Sequence, residues 1–403
     1  MPTRRVLDGN GAAAEALRLA RVRVIAAYPV TPQSPIVERL SGYAADGTLK
    51  AKYMRVESEH SAMSCVIGAQ LTGVRAGTAT SSVGLALMHE VLGVASGCRV
   101  PIVMPVVNRA LVSPWSLWCD HQDSMSERDS GWLQFYVENA QEALDALLMA
   151  YKIAEHSQVL TPAMVCLDGF FVSHSPQLVV LPDQEEVDEF LPEYVPANLY
   201  LDPRDPLFIN GLVPPEDFSE MRYQQKLGFE RALEIIPQVQ RAFGQKFGRQ
   251  YELVETYRSE DADVVLVTLG SMSGTAKHVV NKLRVQDHPV GVAKLGVFRP
   301  FPVAELRKAL KGKRVVGVLD RSAGLGADGG PLWLEVESAL SGTQTQVVGY
   351  VAGLGGRDIT ETTVRALFDE LLQIRDGKRS GPAKRWIDTR ENAMELRTVG
   401  ESE

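Results

Sequence analysis

Two acids, Glu57 and Glu59, stand where an apolar stretch runs into the start of a helix, in YMRVESEHSAMSCVIGA over 53–69. Ser58 is a favoured N-cap residue, and Ala62, Val66, Ile67 and Ala69 recur at the spacing of a buried helical face. Acids suit a first turn through the helix dipole alone, so Glu57 and Glu59 read in part as decoration. A carboxylate near the interior needs a designated partner, and that is the functional reading of Glu59. His60 beside it reads as a general acid or as a packing contact. Arg109 follows the apolar run 100–107, and its planar fork matches a carboxylate bidentately, or it pairs with Asp120 or Asp123. Thr31 lies in PVTPQS (29–34), where two prolines stiffen the backbone that projects its hydroxyl. Ser81 and Ser82 sit on a strand-to-helix turn, yet TSSVG is not the GxSxG of a hydrolase elbow. Asp120-His121-Gln122-Asp123 reads as a capped turn rather than a metal site.

The elements that must position these groups alternate. A helix starts at Asp8-Gly9-Asn10-Gly11, followed by a strand over 22–27, a helix over 34–43 and a strand over 53–56. The helix at Glu59 closes at Gly73. A strand over 75–80, a helix over 85–95, a buried strand over 100–107, a strand near Leu133, a helix over 141–155 and a strand over 163–167 complete a first domain, 1–175. This order predicts a parallel α/β sheet covered on both faces. Thr31, Glu57 to Glu59, Ser81 to Gly84 and Arg109 all follow predicted strands closely, and ligands of open α/β sheets sit beyond the carboxyl ends of strands. Residues 176–258 are proline-rich and read as an arm with a connecting helix over 220–243. A second α/β domain spans 259–376, with strands over 264–268, 290–295, 315–319 and 347–351, and 377–403 form a charged tail.

The 403 residues are 45% apolar with a net charge of −8, which argues against nucleic-acid and membrane-surface partners, since both need a basic footprint. No signal-peptide core or stretch of about 18 apolar residues occurs, so a soluble, cytoplasmic chain is expected. The four cysteines (65, 98, 119 and 166) form no CxxC pair, so local spacing encodes neither zinc nor an iron–sulfur cluster, and no metal ligand is assigned. GLGADG (324–329) spells a dinucleotide fingerprint, but four residues separate it from the strand end and no acid follows at about 20 residues, so a loop is expected.

In order, YPVTPQSP (28–35), VESEHSA (56–62), GLALMHE (84–90), NRAL (108–111), RDSGW (128–132) and VFRPFPV (297–303) make the chain resemble the α subunit of 2-oxoacid:ferredoxin oxidoreductases. The likeness runs from about residue 8 to about 371 and is greatest to the separate α subunit of the pyruvate:ferredoxin oxidoreductase type. It implies that 1–175 are the pyrimidine-binding half of a thiamine diphosphate site and that 259–376 resemble the C-terminal domain of transketolase. By the same resemblance Glu59 is the carboxylate on the aminopyrimidine, Ser82 joins it in binding the cofactor, Thr31 contacts substrate and Arg109 holds the 2-oxoacid carboxylate. The implied reaction is oxidative decarboxylation of the 2-oxoacid, with electrons passing to iron–sulfur clusters and coenzyme A taking the acyl group.

The chain has no GDG motif followed about 30 residues later by a metal-binding Asn, and no cluster-binding cysteine set. The family therefore implies a β subunit carrying Mg and diphosphate, a γ subunit, a ferredoxin-like δ subunit, and clusters on partner subunits only. Val83 and Trp115 depart from the pyruvate-type pattern and would form a drier pocket wall. Pyruvate is the default substrate, and an aromatic 2-oxoacid such as phenylglyoxylate, with NAD as a final acceptor, is the alternative. A non-catalytic scaffold or a nicotinamide-binding subunit using 324–329 is the reading from another class.

Overall fold

The computed structural model describes residues 3–380 and 384–390. An edge strand β1 (Thr3–Leu7) turns at Asp8, whose carboxylate accepts the Gly11 N–H at 2.6 Å and caps α1 (Gly9–Leu19). Then come β2 (Val24–Ala27), α2 (Ser34–Ala45), β3 (Lys52–Arg55), α3 (Glu59–Leu71) and a short β4 (Ala76–Gly77). The helix expected over 85–95 is two helices, α4 (Ser82–Leu87) and α5 (His89–Gly97), joined at Met88. They lead to β5 (Val103–Asn108), α6 (Gln122–Ser126), β6 (Leu133–Val137), α7 (Ala140–Ala154) and β7 (Ala163–Asp168).

These strands make one layer. β2 pairs in parallel with β3 and β4, and β7 pairs in parallel with β5 and β6. The two groups join where Thr80 bridges Val106: Thr80 O accepts the Val107 N–H at 3.0 Å. Alternate residues of one strand feed opposite cores, as the two-residue period of a strand requires. Ala163, Val165 and Leu167 pack with α1 and α7, while Met164 and Cys166 pack with α3 and α5. The C-terminal ends of β2, β3 and β5, with Thr80 after β4, therefore rise on one side, where Thr31, Glu59, Ser82 and Arg109 follow them.

Residues 176–258, expected as an arm, hold more regular structure than the proline count suggested. β8 (Gln177–Leu181) pairs antiparallel with β1, and α8 (Gln184–Phe190) starts on a capping box of Asp183 and Glu186. Pro176 and Pro182 bracket β8 rather than interrupt it, so they break no ladder. α9 (Pro215–Phe247) is longer than the helix expected over 220–243 and ends at Gly248 in the left-handed conformation, φ 73°.

The second sheet follows from β9 (Val254–Tyr257), β10 (Val264–Thr268), α10 (Met272–Val285) and β11 (Val290–Leu295). After β12 (Val297–Arg299) and α11 (Val303–Ala309) come β13 (Val315–Asp320), α12 (Pro331–Leu340), β14 (Gln346–Val351) and α13 (Glu361–Arg375). Part of the expected tail, β15 (Lys384–Trp386), pairs in parallel with β14 and edges the sheet; 381–383 and 391–403 lie outside the described residues. The strand order is β15-β14-β13-β10-β11-β9, with only β9 antiparallel to its neighbour. β12 leaves this half and pairs antiparallel with β6 of the first sheet. The halves are also tied by Lys294, buried with Nζ at 2.7 Å from both Glu142 oxygens and 3.3 Å from those of Glu255.

Candidate functional site

Glu59 begins α3 as the sequence predicts. Ser58 caps the helix by accepting the Ser61 N–H at 3.1 Å, and the Glu59 side chain turns inward to 6% exposure. Glu57 stays outside, accepting a bond from the Ser61 hydroxyl at 2.6 Å. Against Glu59 lies the first turn of α4. A Cβ on Gly84 would come within 2.5 Å of Glu59 Oε1 and 2.7 Å of Thr80 Oγ1, so only glycine leaves the carboxylate its place. Glu59 makes no hydrogen bond or ion pair with any described residue. The sealed Thr80 hydroxyl beside it also lacks a partner, as do those of Thr78 and Ser81. A buried carboxylate and hydroxyl left unmatched are unfavourable until something polar completes them. His60 faces outward toward Glu90, 3.6 Å away, and away from that role.

Arg109 is 5% exposed, and among the described residues its guanidinium bonds only to main-chain carbonyls: Nη1 to Thr31 O at 2.9 Å and Nε to Ser116 O at 3.2 Å. No described carboxylate pairs with the guanidinium. Asp123 accepts the Arg109 backbone N–H instead, at 3.0 Å, which settles the pairing alternative raised by the sequence. Burial lowers the Arg109 pKa while the Asp123 charge opposes that shift. The Nη2 donors remain for an outside acceptor. Thr31, exposed, is brought beside Arg109 by a loop pinned through Asn10 Nδ2 to Pro32 O at 3.0 Å and Gln33 Nε2 to Tyr28 O at 2.9 Å.

Asp123 was missed as a site residue in the sequence. Its Oδ2 accepts the Ser82 N–H at 2.9 Å as well as that of Arg109; its Oδ1 accepts Asn108 Nδ2 at 2.8 Å and the Ser124 N–H at 2.7 Å. Burial pushes the carboxyl up to about 6 against those four bonds. The available signal was Asn108, a polar residue ending a strand buried at every position.

Residues 15–241 match the family described as pyruvate flavodoxin/ferredoxin oxidoreductase, thiamine diP-binding, and 262–364 match pyruvate:ferredoxin oxidoreductase core domain II. Pyruvate synthase subunit PorA of Pyrococcus furiosus is 45% identical over 97% of this chain and 99% of its own length. Its counterpart in Methanothermobacter thermautotrophicus is 48% identical over 90% of this chain and 94% of its own. The chain is an α subunit of the 2-oxoacid:ferredoxin oxidoreductase family. Ketoisovalerate oxidoreductase subunit VorA of Pyrococcus abyssi is 46% identical over 93% of this chain and 94% of its own. A 2-oxoglutarate:ferredoxin oxidoreductase from Magnetococcus marinus, solved with 2-oxoglutarate, coenzyme A and succinyl-CoA, shares the fold at TM-score 0.71 and 19% identity. This chain aligns over 92% of its length but spans 65% of that chain. A split-gene transketolase, solved as an inactive β4 tetramer, shares the fold at TM-score 0.56 and 13% identity over 92% of this chain and 99% of its own.

Within this α subunit the remaining expectations divide. Ser82, at φ 51°, donates its hydroxyl to Ala110 O at 2.5 Å and so ties the α4 turn to the Arg109 loop. Val83 is half-buried, but Trp115 is 76% exposed, with Val112 and Trp118 also at the surface. Trp115 thus stands at the surface of this chain and forms no wall with other described residues of it.

His121 meets Asp168 at 2.7 Å. Cys119, His121 and Asp168 could together hold a cation, but Arg321 Nη1 already stands 3.1 Å from Asp168 and 3.8 Å from Cys119 Sγ, a fixed positive charge where a metal would bind. Burial disfavours the Asp168 charge, yet His121 and Arg321 outweigh it and hold the carboxyl well below its usual range; burial also pushes the Cys119 thiol up. Ser271 adds its N–H at 3.1 Å, so Asp168 joins the two halves. The 324–329 loop lies between β13 and α12 as expected. Asp320 accepts the first N–H groups of α12, Leu332 and Trp333 at 2.9 Å each, which fills the place a dinucleotide phosphate would take. No described helix is long and apolar enough to cross a membrane.

Proposed function

We propose that the chain is the α subunit of a multi-subunit, coenzyme-A-acylating pyruvate oxidoreductase, and that Glu59 serves its thiamine diphosphate. The observation that carries this reading is Glu59 itself, a buried carboxylate at a helix start, cleared by Gly84 and unmatched among the described residues. The unpartnered Thr80 hydroxyl beside it supports a polar ligand at that spot. When bound, the cofactor supplies the nucleophilic carbon and the electron sink for loss of carbon dioxide. Glu59 accepts a hydrogen bond from the cofactor's pyrimidine nitrogen and so holds a proton on that atom, in a setting where desolvation strengthens the pairing. Arg109 holds the substrate carboxylate through its uncommitted donors, with Thr31 at its side.

The diphosphate and its Mg are assigned to a β subunit, iron–sulfur clusters to partner subunits including a ferredoxin-like δ subunit beside γ, and the acyl group to coenzyme A. The PorA relatives favour pyruvate; the similarity to VorA makes a branched 2-oxoacid the second reading, decided by kcat/KM for the two substrates in the assembled enzyme. The test of Glu59 is Glu59→Gln in the intact complex. Turnover should fall on the order of a hundredfold or more with assembly unchanged. Near wild-type turnover would end the assignment.

A further inference from the structure

Behind Arg109 stands a carboxylate that the proposed chemistry does not use. Asp123 is 1% exposed, and both oxygens are engaged within the chain. One oxygen, Oδ2, takes two backbone N–H groups far apart in sequence: Ser82, at the turn that clears Glu59, and Arg109, at the end of β5. The other fixes Asn108 and the first turn of α6. Ser82 in turn holds Ala110 O, so the main chain on both sides of Arg109 is pinned to the cofactor-side turn. We propose that Asp123 is a positioning residue for the substrate arginine, setting where the Arg109 guanidinium stands relative to Glu59 by fixing Arg109 and Ser82 to one oxygen.

The segment that carries Asp123 is held from behind by the second half of the chain. Arg321 O accepts the His121 N–H at 2.8 Å, Cys119 O accepts the Gly356 N–H at 2.6 Å, and Asp120 Oδ2 accepts the Gly355 N–H at 3.2 Å. The transketolase-like half thus reaches the substrate arginine through residues 119–123. A backbone N–H bonded to an ionised acceptor gives a shorter, stronger tether than a neutral one, which is why a carboxylate and not an amide suits this position.

This inference rests on the reading of Arg109 as the group that holds the 2-oxoacid carboxylate, and a double-mutant cycle in the assembled enzyme separates the two. Arg109→Lys should raise the KM for the 2-oxoacid; if it does not, the Arg109 reading fails and this inference falls with it. Given that effect, Asp123→Asn should raise the same KM roughly tenfold with kcat changed far less, and should add little in the Arg109→Lys background, as coupled neighbours do. The affinity for thiamine diphosphate, followed by the quenching of protein fluorescence, should move less than the KM. An unchanged KM in Asp123→Asn, or an equal increase in both backgrounds, would overturn the positioning role while leaving Arg109 intact. If Asp123→Asn fails to assemble, Asn108→Ala removes the side-chain donor that orients Asp123 and enters the same cycle with the same expected outcomes.

Discussion

Glu59 and Asp123 are buried carboxylates at the starts of two helices on the same side of one sheet, and they are treated in opposite ways. Glu59 has no partner among the described residues, while Asp123 has four. The first is a local construction: a strand end, the Ser58 cap and a glycine that keeps the facing helix clear. The second depends on residues 14 and 41 positions away. An unmatched charge marks where a ligand belongs, and a saturated one marks what holds the ligand's seat. Asp168 extends the second pattern, with His121, Arg321 and Ser271 around it at the junction of the two halves.

The contrast breaks most visibly in stability. Asp168→Ala strips a buried Arg of its counter-charge and a buried His of its hydrogen-bond partner, and should destabilise the isolated chain by about 3–5 kcal/mol, read from chemical denaturation. Glu59→Gln removes a carboxylate that no described residue matches, so it should leave stability unchanged or raise it. If Glu59→Gln proves as damaging as Asp168→Ala, the two carboxylates are alike and the contrast fails.

Gly84→Ala comes next, at about 1–3 kcal/mol for a methyl forced against Glu59 and Thr80. Its loss of turnover in the assembled enzyme should exceed what the stability change explains, because the methyl occupies the space beside the carboxylate.

A smaller effect separates the saturated acids by pH. Burial raises Asp123 from 3.8 to about 6 and Asp320 from 3.8 to about 7. Raised folded values mean that the native state binds more protons than the unfolded chain between about pH 4 and pH 7. Their contribution to stability therefore falls as pH rises through that window. Asp168, held low, works the other way: its contribution is present above the usual carboxylate range and is lost as pH drops below it. Asp320→Asn should flatten the pH dependence of the melting temperature between pH 5 and pH 7, and an unchanged slope would contradict the assignment. Smallest of all, Trp115→Ile should change the isolated chain's stability by less than about 0.5 kcal/mol, since that ring packs on so little.

What was legible in the sequence follows the same division. The alternation of elements, the Ser58 cap and the inward turn of Glu59 depend on neighbours a few residues apart, so periodicity and cap chemistry suffice to read them. Pairings across long separations left no local trace: β1 with β8, β12 crossing to β6, and β15 joining the second sheet from a charged stretch. Ser82 was placed at the correct turn, but its hydroxyl went to Ala110 O, a partner that exists only once β5 lies beside that turn. The exposure of Trp115 in this chain depends on the path of the 109–121 loop, which has no period to read. Asp123 lay in a run that read as a capped turn, and its two tethered amides appear only in three dimensions.

The central claim is that Glu59 is left unmatched so that it can hold a proton on the cofactor's pyrimidine. The most direct test is the rate of hydrogen–deuterium exchange at the reactive thiazolium carbon of thiamine diphosphate bound to the assembled complex, compared between the wild type and Glu59→Gln. The account predicts exchange slowed on the order of a hundredfold or more in the variant with the cofactor still bound. Exchange at the wild-type rate in Glu59→Gln would contradict it.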